Sequence, residues 1–136
     1  MRSRARLASL LVFVLVLLGA GAAYAVSEYN RRQSMKAEVT ALTGGDPDRA
    51  PDLITRYGCA GCHDIPGVRG ASGRVGPPLR QVAGRVYIGG VLANRPDNLV
   101  RWIVNPRAVS PKTAMPVTGI SEADARHVAA YLLTLR

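Results

Sequence analysis

Hydrophobic and polar positions divide the chain into three stretches of different character. From Leu7 to Val26 the sequence LASLLVFVLVLLGAGAAYAV runs for 20 residues without a charge, and as a helix it spans roughly 30 Å, the thickness of a bilayer core. Arg2, Arg4 and Arg6 precede it, and it closes on Ala23-Tyr24-Ala25, small residues at the spacing a signal peptidase accepts. Residues 1–26 therefore read as a single membrane-spanning anchor, with an export signal cleaved after Ala25 as the alternative. Residues 27–45 are polar and are expected to form a linker, with a helical turn or two in SMKAEVTAL stopped by Gly44-Gly45. Residues 46–136 carry the compact domain.

Within that domain the spacing predicts short helices and no strand. One runs from about Pro51, a residue suited to a first helical turn, to Tyr57 before Gly58. Pro78 to Ala83 form a turn of helix closed by Gly84, and Pro96 to Val104 form a longer helix halted by Asn105-Pro106. Pro111 and Pro116 hold the next segment extended. The last helix starts at Ser121, with Asp124 completing an S-x-x-D capping box, and it sets Asp124, Val128, Tyr131, Leu132 and Leu135 on one face. Gly67, Gly70, Gly73 and Gly76 recur at every third position, too few for a triple helix and without the strand a phosphate loop needs. They read as a loop whose backbone lies close against something. The fold class is all-α, with three or four short helices and long loops, and so small a side-chain core is marginal by itself.

The chain has two cysteines, and both lie in Cys59-Ala60-Gly61-Cys62-His63, the C-x-x-C-H pattern of covalent haem attachment. On a helical turn, cysteines at i and i+3 point the same way, so both thiols can add to the vinyl groups of one porphyrin, and the histidine that follows reaches the iron. A thioredoxin-like pair would need a βαβ context, which is absent. A zinc site would need two more ligands from His127 and a carboxylate. The reading is one covalent haem c on Cys59 and Cys62, with His63 as an axial ligand of the iron. Beyond His63 the remaining soft or imidazole donors are Met115 and His127. Met115 is favoured as the sixth ligand because Thr113-Ala114-Met115-Pro116 is an extended loop from which a thioether can swing inward, and sulfur stabilises ferrous iron. His127 lies at the edge of the last helix's apolar face.

The ordered motifs CAGCH, Gly76-Pro77-Pro78-Leu79, Gly84-Arg85, Ala114-Met115-Pro116 and Ala130-Tyr131-Leu132 resemble those of small His/Met monohaem cytochromes c over about residues 46–136. The resemblance implies a cytochrome c fold around one covalent haem, with the terminal helix packed across the first. It implies that the Pro77 carbonyl accepts the proximal histidine's Nδ1 proton, and that Arg85, Tyr87 and Trp102 lie near the haem propionates. The stretch Leu99-Val100-Arg101-Trp102-Ile103 followed by Pro106 is similar to membrane-anchored bacterial, oxidase-associated cytochrome c domains.

Charge adds a partner to this picture. The net charge is +9, and between Ile65 and Met115 lie Arg69, Arg74, Arg80, Arg85, Arg95, Arg101, Arg107 and Lys112 against Asp97 alone. Such a surface attracts an acidic redox partner and speeds encounter. No aromatic stacking pattern accompanies it, so nucleic acid is not expected. The combined expectation is a single-pass bacterial inner-membrane cytochrome with its haem domain on the periplasmic side. It would pass single electrons to or within a terminal oxidase, as a carrier and not as an enzyme with bond chemistry of its own. The rivals are a cleaved soluble periplasmic shuttle, a cytochrome subunit of a dehydrogenase complex, and a sensor or peroxidase with an open iron position.

Overall fold

The computed structural model describes the backbone of residues 2–136 and the side chains of residues 10–136. It is mostly helical and divides into two compact units, residues up to Ser34 and Met35–Arg136. Helix α1, Arg2–Thr43, runs from the first unit into the second. In the first unit the apolar side chains Leu10 to Leu18 are exposed. From Leu10 onward α1 is long and apolar enough to cross a membrane, a description that an N-terminal export signal also meets. Beyond the apolar run, Glu28 pairs with Arg31 and Arg32 at 2.9 and 2.8 Å, exposed contacts worth a few tenths of a kcal/mol each.

Residues 27–43, expected as a polar linker, are helical throughout. The reason lies in the second unit. Val39 and Thr43, one turn apart, are each 1% exposed, and the end of the helix is held by contacts with residues far along the chain. Thr43 Oγ1 donates to the Val39 carbonyl at 2.7 Å and accepts the Gly45 N–H at 3.1 Å. Arg126 donates to the Thr43 carbonyl at 2.9 Å, satisfying an acceptor the helix leaves open. Lys36 pairs with Asp48 at 2.5 Å and Arg136 with Glu38 at 2.9 Å. Gly44, at φ +70°, provides the left-handed stop.

After a 3-10 turn at Pro47–Arg49, capped by Asp46, come α2 (Ala50–Arg56), α3 (Cys59–Cys62), α4 (Pro96–Val104), α5 (Pro106–Val109) and α6 (Glu122–Thr134). Small residues let α2 and α6 approach closely. Ala50, Ala125 and Ala129 are fully buried, with Ile54 and Val128 filling the seam. Leu99, Val100, Trp102 and Ile103 of α4 complete the core beside Leu132. Burying a side chain such as Ile54 contributes about 1.5–3 kcal/mol.

Two predicted features differ. A hairpin of β1 (Tyr87–Ile88) and β2 (Leu92–Ala93) pairs Tyr87 with Ala93 and Ile88 with Leu92. Two-residue strands are too short to show alternation. The expected turn at Pro78–Ala83 is instead a 3-10 turn at Val82–Gly84, entered through Gln81 at φ +58°. Asn105 does halt α4, and its side chain then caps α5 by accepting the Ala108 N–H at 3.0 Å.

The Ser121 cap is present, its Oγ accepting the Asp124 N–H at 3.1 Å. The Asp124 carboxylate accepts the Tyr57 hydroxyl at 2.7 Å, tying the end of α2 to the start of α6. That hydrogen bond holds the Asp124 carboxyl below the usual carboxylate range and pushes the Tyr57 phenol up. A carboxyl depressed in the folded state stabilises the fold above its unfolded value, about pH 4, and the contribution disappears as the pH falls through the folded value. Asp124→Asn is therefore expected to flatten the dependence of stability on pH as the pH falls below the unfolded value, about 4. Denaturant titrations followed by circular dichroism at stepped pH check this, and an unchanged slope counts against the Tyr57–Asp124 bond.

Candidate functional site

The site is built on a break in the helix. Gly58, at φ +73°, ends α2, and the chain turns at once into α3, a single turn carrying Cys59 and Cys62 at i and i+3. Both thiols are free and half-buried, and burial pushes the Cys59 thiol above its ordinary value. His63 closes the turn in an extended conformation, its N–H donating to the Cys59 carbonyl at 3.0 Å. No three His, Cys, Asp or Glu side chains converge among the described residues, so the cysteine pair lacks the further ligands of a four-coordinate zinc site.

The glycine-rich loop folds back over this turn. Gly73 donates to the His63 carbonyl at 3.2 Å, Gly76 to the Cys62 carbonyl at 2.8 Å and Leu79 to the Asp64 carbonyl at 2.8 Å. A Cβ on Gly73 would stand 2.5 Å from the Cys62 carbonyl carbon, and one on Gly76 would stand 2.7 and 2.9 Å from His63 Nδ1 and Nε2. The bare backbone of Gly76 is thus a flat wall against the imidazole. Gly67, at φ +79°, lies beside the Tyr131 hydroxyl, which donates to the Pro66 carbonyl at 2.5 Å. Gly70 meets nothing within 4 Å and is used for its φ of +75°.

His63 Nδ1 lies 2.8 Å from the Pro77 carbonyl oxygen. A carbonyl only accepts, so Nδ1 carries the proton and the lone pair is on Nε2. The ring is fixed on one edge by a hydrogen bond and on one face by Gly76, with a metal-binding nitrogen left free. Arg85, half-buried, donates to the Pro78 carbonyl, next to the residue that holds His63.

The other expected residues are distributed around the same core. Met115, half-buried in the loop before α6, and Cys59 pack against the same hydrophobic cluster. Trp102 is 9% exposed and lies under Gly89 of the hairpin turn, where a Cβ would meet its indole at 2.5 Å. Tyr87 is 58% exposed. His127 holds the start of the 3-10 turn at Pro47–Arg49, its Nδ1 accepting the Asp46 N–H at 2.7 Å. A groove of about 940 Å³ lies apart from the cysteines, lined by residues including Val39, Leu42, Pro78, Arg85 and Leu133.

Sequence reasoning missed two residues that shape this region. Asn94 donates to the Val82 and Arg85 carbonyls at 2.8 and 2.9 Å, and its own N–H bonds the Val86 carbonyl at 2.9 Å. It stitches down the segment that carries Arg85. Its only signal was an asparagine two residues before a proline, which reads as a helix entry. The second is Gly76, visible as part of a periodic glycine run but not as the wall beside His63. Gly76→Ala is expected to displace the imidazole and cost about 1–3 kcal/mol through overpacking. Denaturant midpoints and the NMR resonance of the His63 Nδ1 proton check it, and an unmoved resonance with full stability would count against the wall.

The donor set fits a covalently held porphyrin. Two thiols sit on one turn, a fixed imidazole follows with its outer nitrogen free, and a thioether stands in a separate loop on the same cluster. The comparisons agree. The family model described as Cytochrome c matches residues 48–136. The relatives include a protein named cytochrome c oxidase subunit 2 from Alkalihalophilus pseudofirmus, 30% identical over 105 residues that cover 76% of this chain and 30% of that protein. A second protein of that name from Bacillus sp. strain PS3 is 29% identical over 89 residues, covering 62% of this chain and 25% of the relative. The chain thus spans less than a third of the length of these relatives. With a C-x-x-C-H turn, a proline carbonyl on the histidine and a family match over residues 48–136, the chain belongs to the cytochrome c family and carries covalent haem c, a domain that implies electron transfer.

Proposed function

We propose that the protein is a membrane-anchored monohaem cytochrome c that passes single electrons to or within a terminal oxidase of a bacterial respiratory chain. In this reading residues 1–26 anchor the protein, residues 27–45 connect, and residues 46–136 form the haem domain on the periplasmic side. Cys59 and Cys62 would hold the haem, His63 and Met115 would ligate its iron, and Arg85, with Trp102 and Tyr87, would lie in its surroundings. When bound, the haem supplies a one-electron ferric/ferrous couple.

The observation that carries the reading is the His63 Nδ1 bond to the Pro77 carbonyl at 2.8 Å. It fixes the tautomer that leaves Nε2 free and raises its basicity. Gly76 keeps the ring from rotating, and the thioether of Met115 biases the iron toward the ferrous state. None of these groups is a nucleophile or general base aimed at a substrate, which supports a carrier. The apolar length of α1 from Leu10 supports the anchor. The relatives are named as oxidase subunits, which supports an oxidase as the partner over a dehydrogenase.

Native electrophoresis of detergent-solubilised membranes beside the soluble fraction, stained for haem, tests the proposal. The expected result is a haem band containing this chain in the membrane fraction, at the mass of an oxidase and with its subunits present. A small haem band in the soluble fraction alone would replace the anchored protein by a periplasmic shuttle.

A further inference from the structure

Pro77 and Pro78 bring no N–H to the stretch that holds His63, so its place depends on what its carbonyls receive. Its two ends are tied to the C-x-x-C-H turn, Gly76 donating to the Cys62 carbonyl and Leu79 to the Asp64 carbonyl, each at 2.8 Å. Between them the Pro77 carbonyl accepts the His63 Nδ1 proton at 2.8 Å, and the Pro78 carbonyl accepts the Arg85 guanidinium. Among the described residues, Arg85 alone reaches these two carbonyls from outside the turn.

Arg85 is itself placed by Asn94. The hairpin pairs Tyr87 with Ala93 and so returns the chain to the Arg85 segment. There the Asn94 N–H donates to the Val86 carbonyl at 2.9 Å, and Nδ2 donates to the Val82 and Arg85 carbonyls at 2.8 and 2.9 Å. The amide has one orientation, since turning it over would set an oxygen against two oxygens. In that orientation Oδ1 is buried without a hydrogen-bond partner among the described residues. A buried acceptor left open is destabilising, so stability alone does not account for this side chain. Its use is two donors on one atom, where aspartate would present oxygen to both carbonyls and leucine, of similar size, would present nothing. The Ala83 N–H ties the other part of the turn to the Leu135 carbonyl at 3.2 Å, which leaves the Arg85 end to Asn94.

We propose that Asn94 is a positioning residue of the electron-transfer site, acting on His63 through Arg85. Its carboxamide fixes the Arg85 backbone, the Arg85 guanidinium fixes the Pro77–Pro78 stretch, and that stretch fixes the imidazole. The inference rests on the electron-transfer reading above and adds to it a residue that meets the histidine only at second hand. Two properties follow. The Nδ1 proton stays protected while its acceptor is held in place, and the Arg85 cation stays at Pro78, next to the residue that holds His63. A cation kept there favours ferrous over ferric iron, because the ferric state carries one more positive charge.

The test uses the full-length holoprotein in detergent micelles and reads two quantities. One is solvent exchange of the His63 Nδ1 proton in the dithionite-reduced protein, followed by NMR, and the other is the ferric-to-ferrous ratio at a fixed electrode potential. Asn94→Leu is expected to speed the exchange at least ~10-fold and to raise the ratio roughly threefold. Arg85→Met should do the same, and adding Asn94→Leu to it should change neither quantity further, because the two residues act in series. Ser121→Ala removes the cap of α6 and touches neither carbonyl, so it should lower the denaturant midpoint and move neither quantity. If Asn94→Leu retains no haem, Asn94→Ser, with one donor left, should shift both quantities in the same directions by less. Unchanged quantities in the Asn94 variant, an undiminished further shift in the Arg85→Met background, or the same shift from Ser121→Ala overturns the proposal. A holoprotein that dithionite reduces but that exchanges no electrons with the electrode would instead fail the electron-transfer reading, and the Nδ1 exchange would still decide the role of Asn94.

Discussion

Replacing Cys59 and Cys62 together by serine is expected to abolish covalent haem: no haem stain at this chain's position on a denaturing gel, against full staining of the unsubstituted protein. The thiols are the reacting groups, and serine hydroxyls do not form thioethers with vinyl carbons. The loss extends to the fold. Cys59 packs against the core cluster with Ala60 and Met115, and a domain of this size depends on more than its side chains to fill its interior. Helix content by circular dichroism should fall with the stain. The single variants should retain one thioether each and stain weakly, and staining that survives the double replacement would end the assignment of these residues.

Met115→Ala is expected to open the iron. With one axial position empty, carbon monoxide should bind the reduced protein and shift its Soret band, where the unsubstituted protein binds none. The reduction potential should fall on the order of 0.2 V, a fraction of the ≈ 0.8 V over which axial ligands set haem potentials. His127→Ala serves as the contrast. Its Nδ1 is engaged with the Asp46 N–H, so this replacement should loosen the contact of the 3-10 turn at Pro47–Arg49 with α6 and leave carbon monoxide binding and potential unchanged. If His127→Ala opens the iron and Met115→Ala does not, the sixth ligand has been misassigned.

Helix α4 occupies Pro96–Val104 as its punctuation predicts, because a proline at the start and Asn105-Pro106 at the end act within a turn of themselves. Helix α6 starts from Ser121 for the same local reason. The C-x-x-C-H turn is local too. What the sequence hid depends on partners far away. The helical state of residues 27–43 rests on Val39 and Thr43 finding a buried place and on Arg126, 83 positions later, reaching the Thr43 carbonyl. Polar composition alone reads as a linker. Asp124 has the position of a capping-box acid, but Tyr57, 67 positions away, takes its carboxylate. Gly76 shows as a periodic glycine, while its place beside the His63 ring depends on how the loop folds back. Tyr87 rests on the resemblance alone, and in its two-residue strand it is exposed while Ile88 is buried.

The contacts that close the domain join its first helical segments to its last one. The Asp46 N–H meets His127 across 81 positions, and Arg136 meets Glu38 across 98. Ala50 and Ile54 likewise wait for α6 to cover them. A chain synthesised from its N-terminus has therefore made Cys59, Cys62 and His63 well before the helix that seals the core exists. At roughly 5–20 residues per second the interval lasts several seconds, during which the C-x-x-C-H segment is not yet covered by α6. The order of the helices in the chain thus sets the time of the final collapse, which waits for the last thirteen-residue helix to be made.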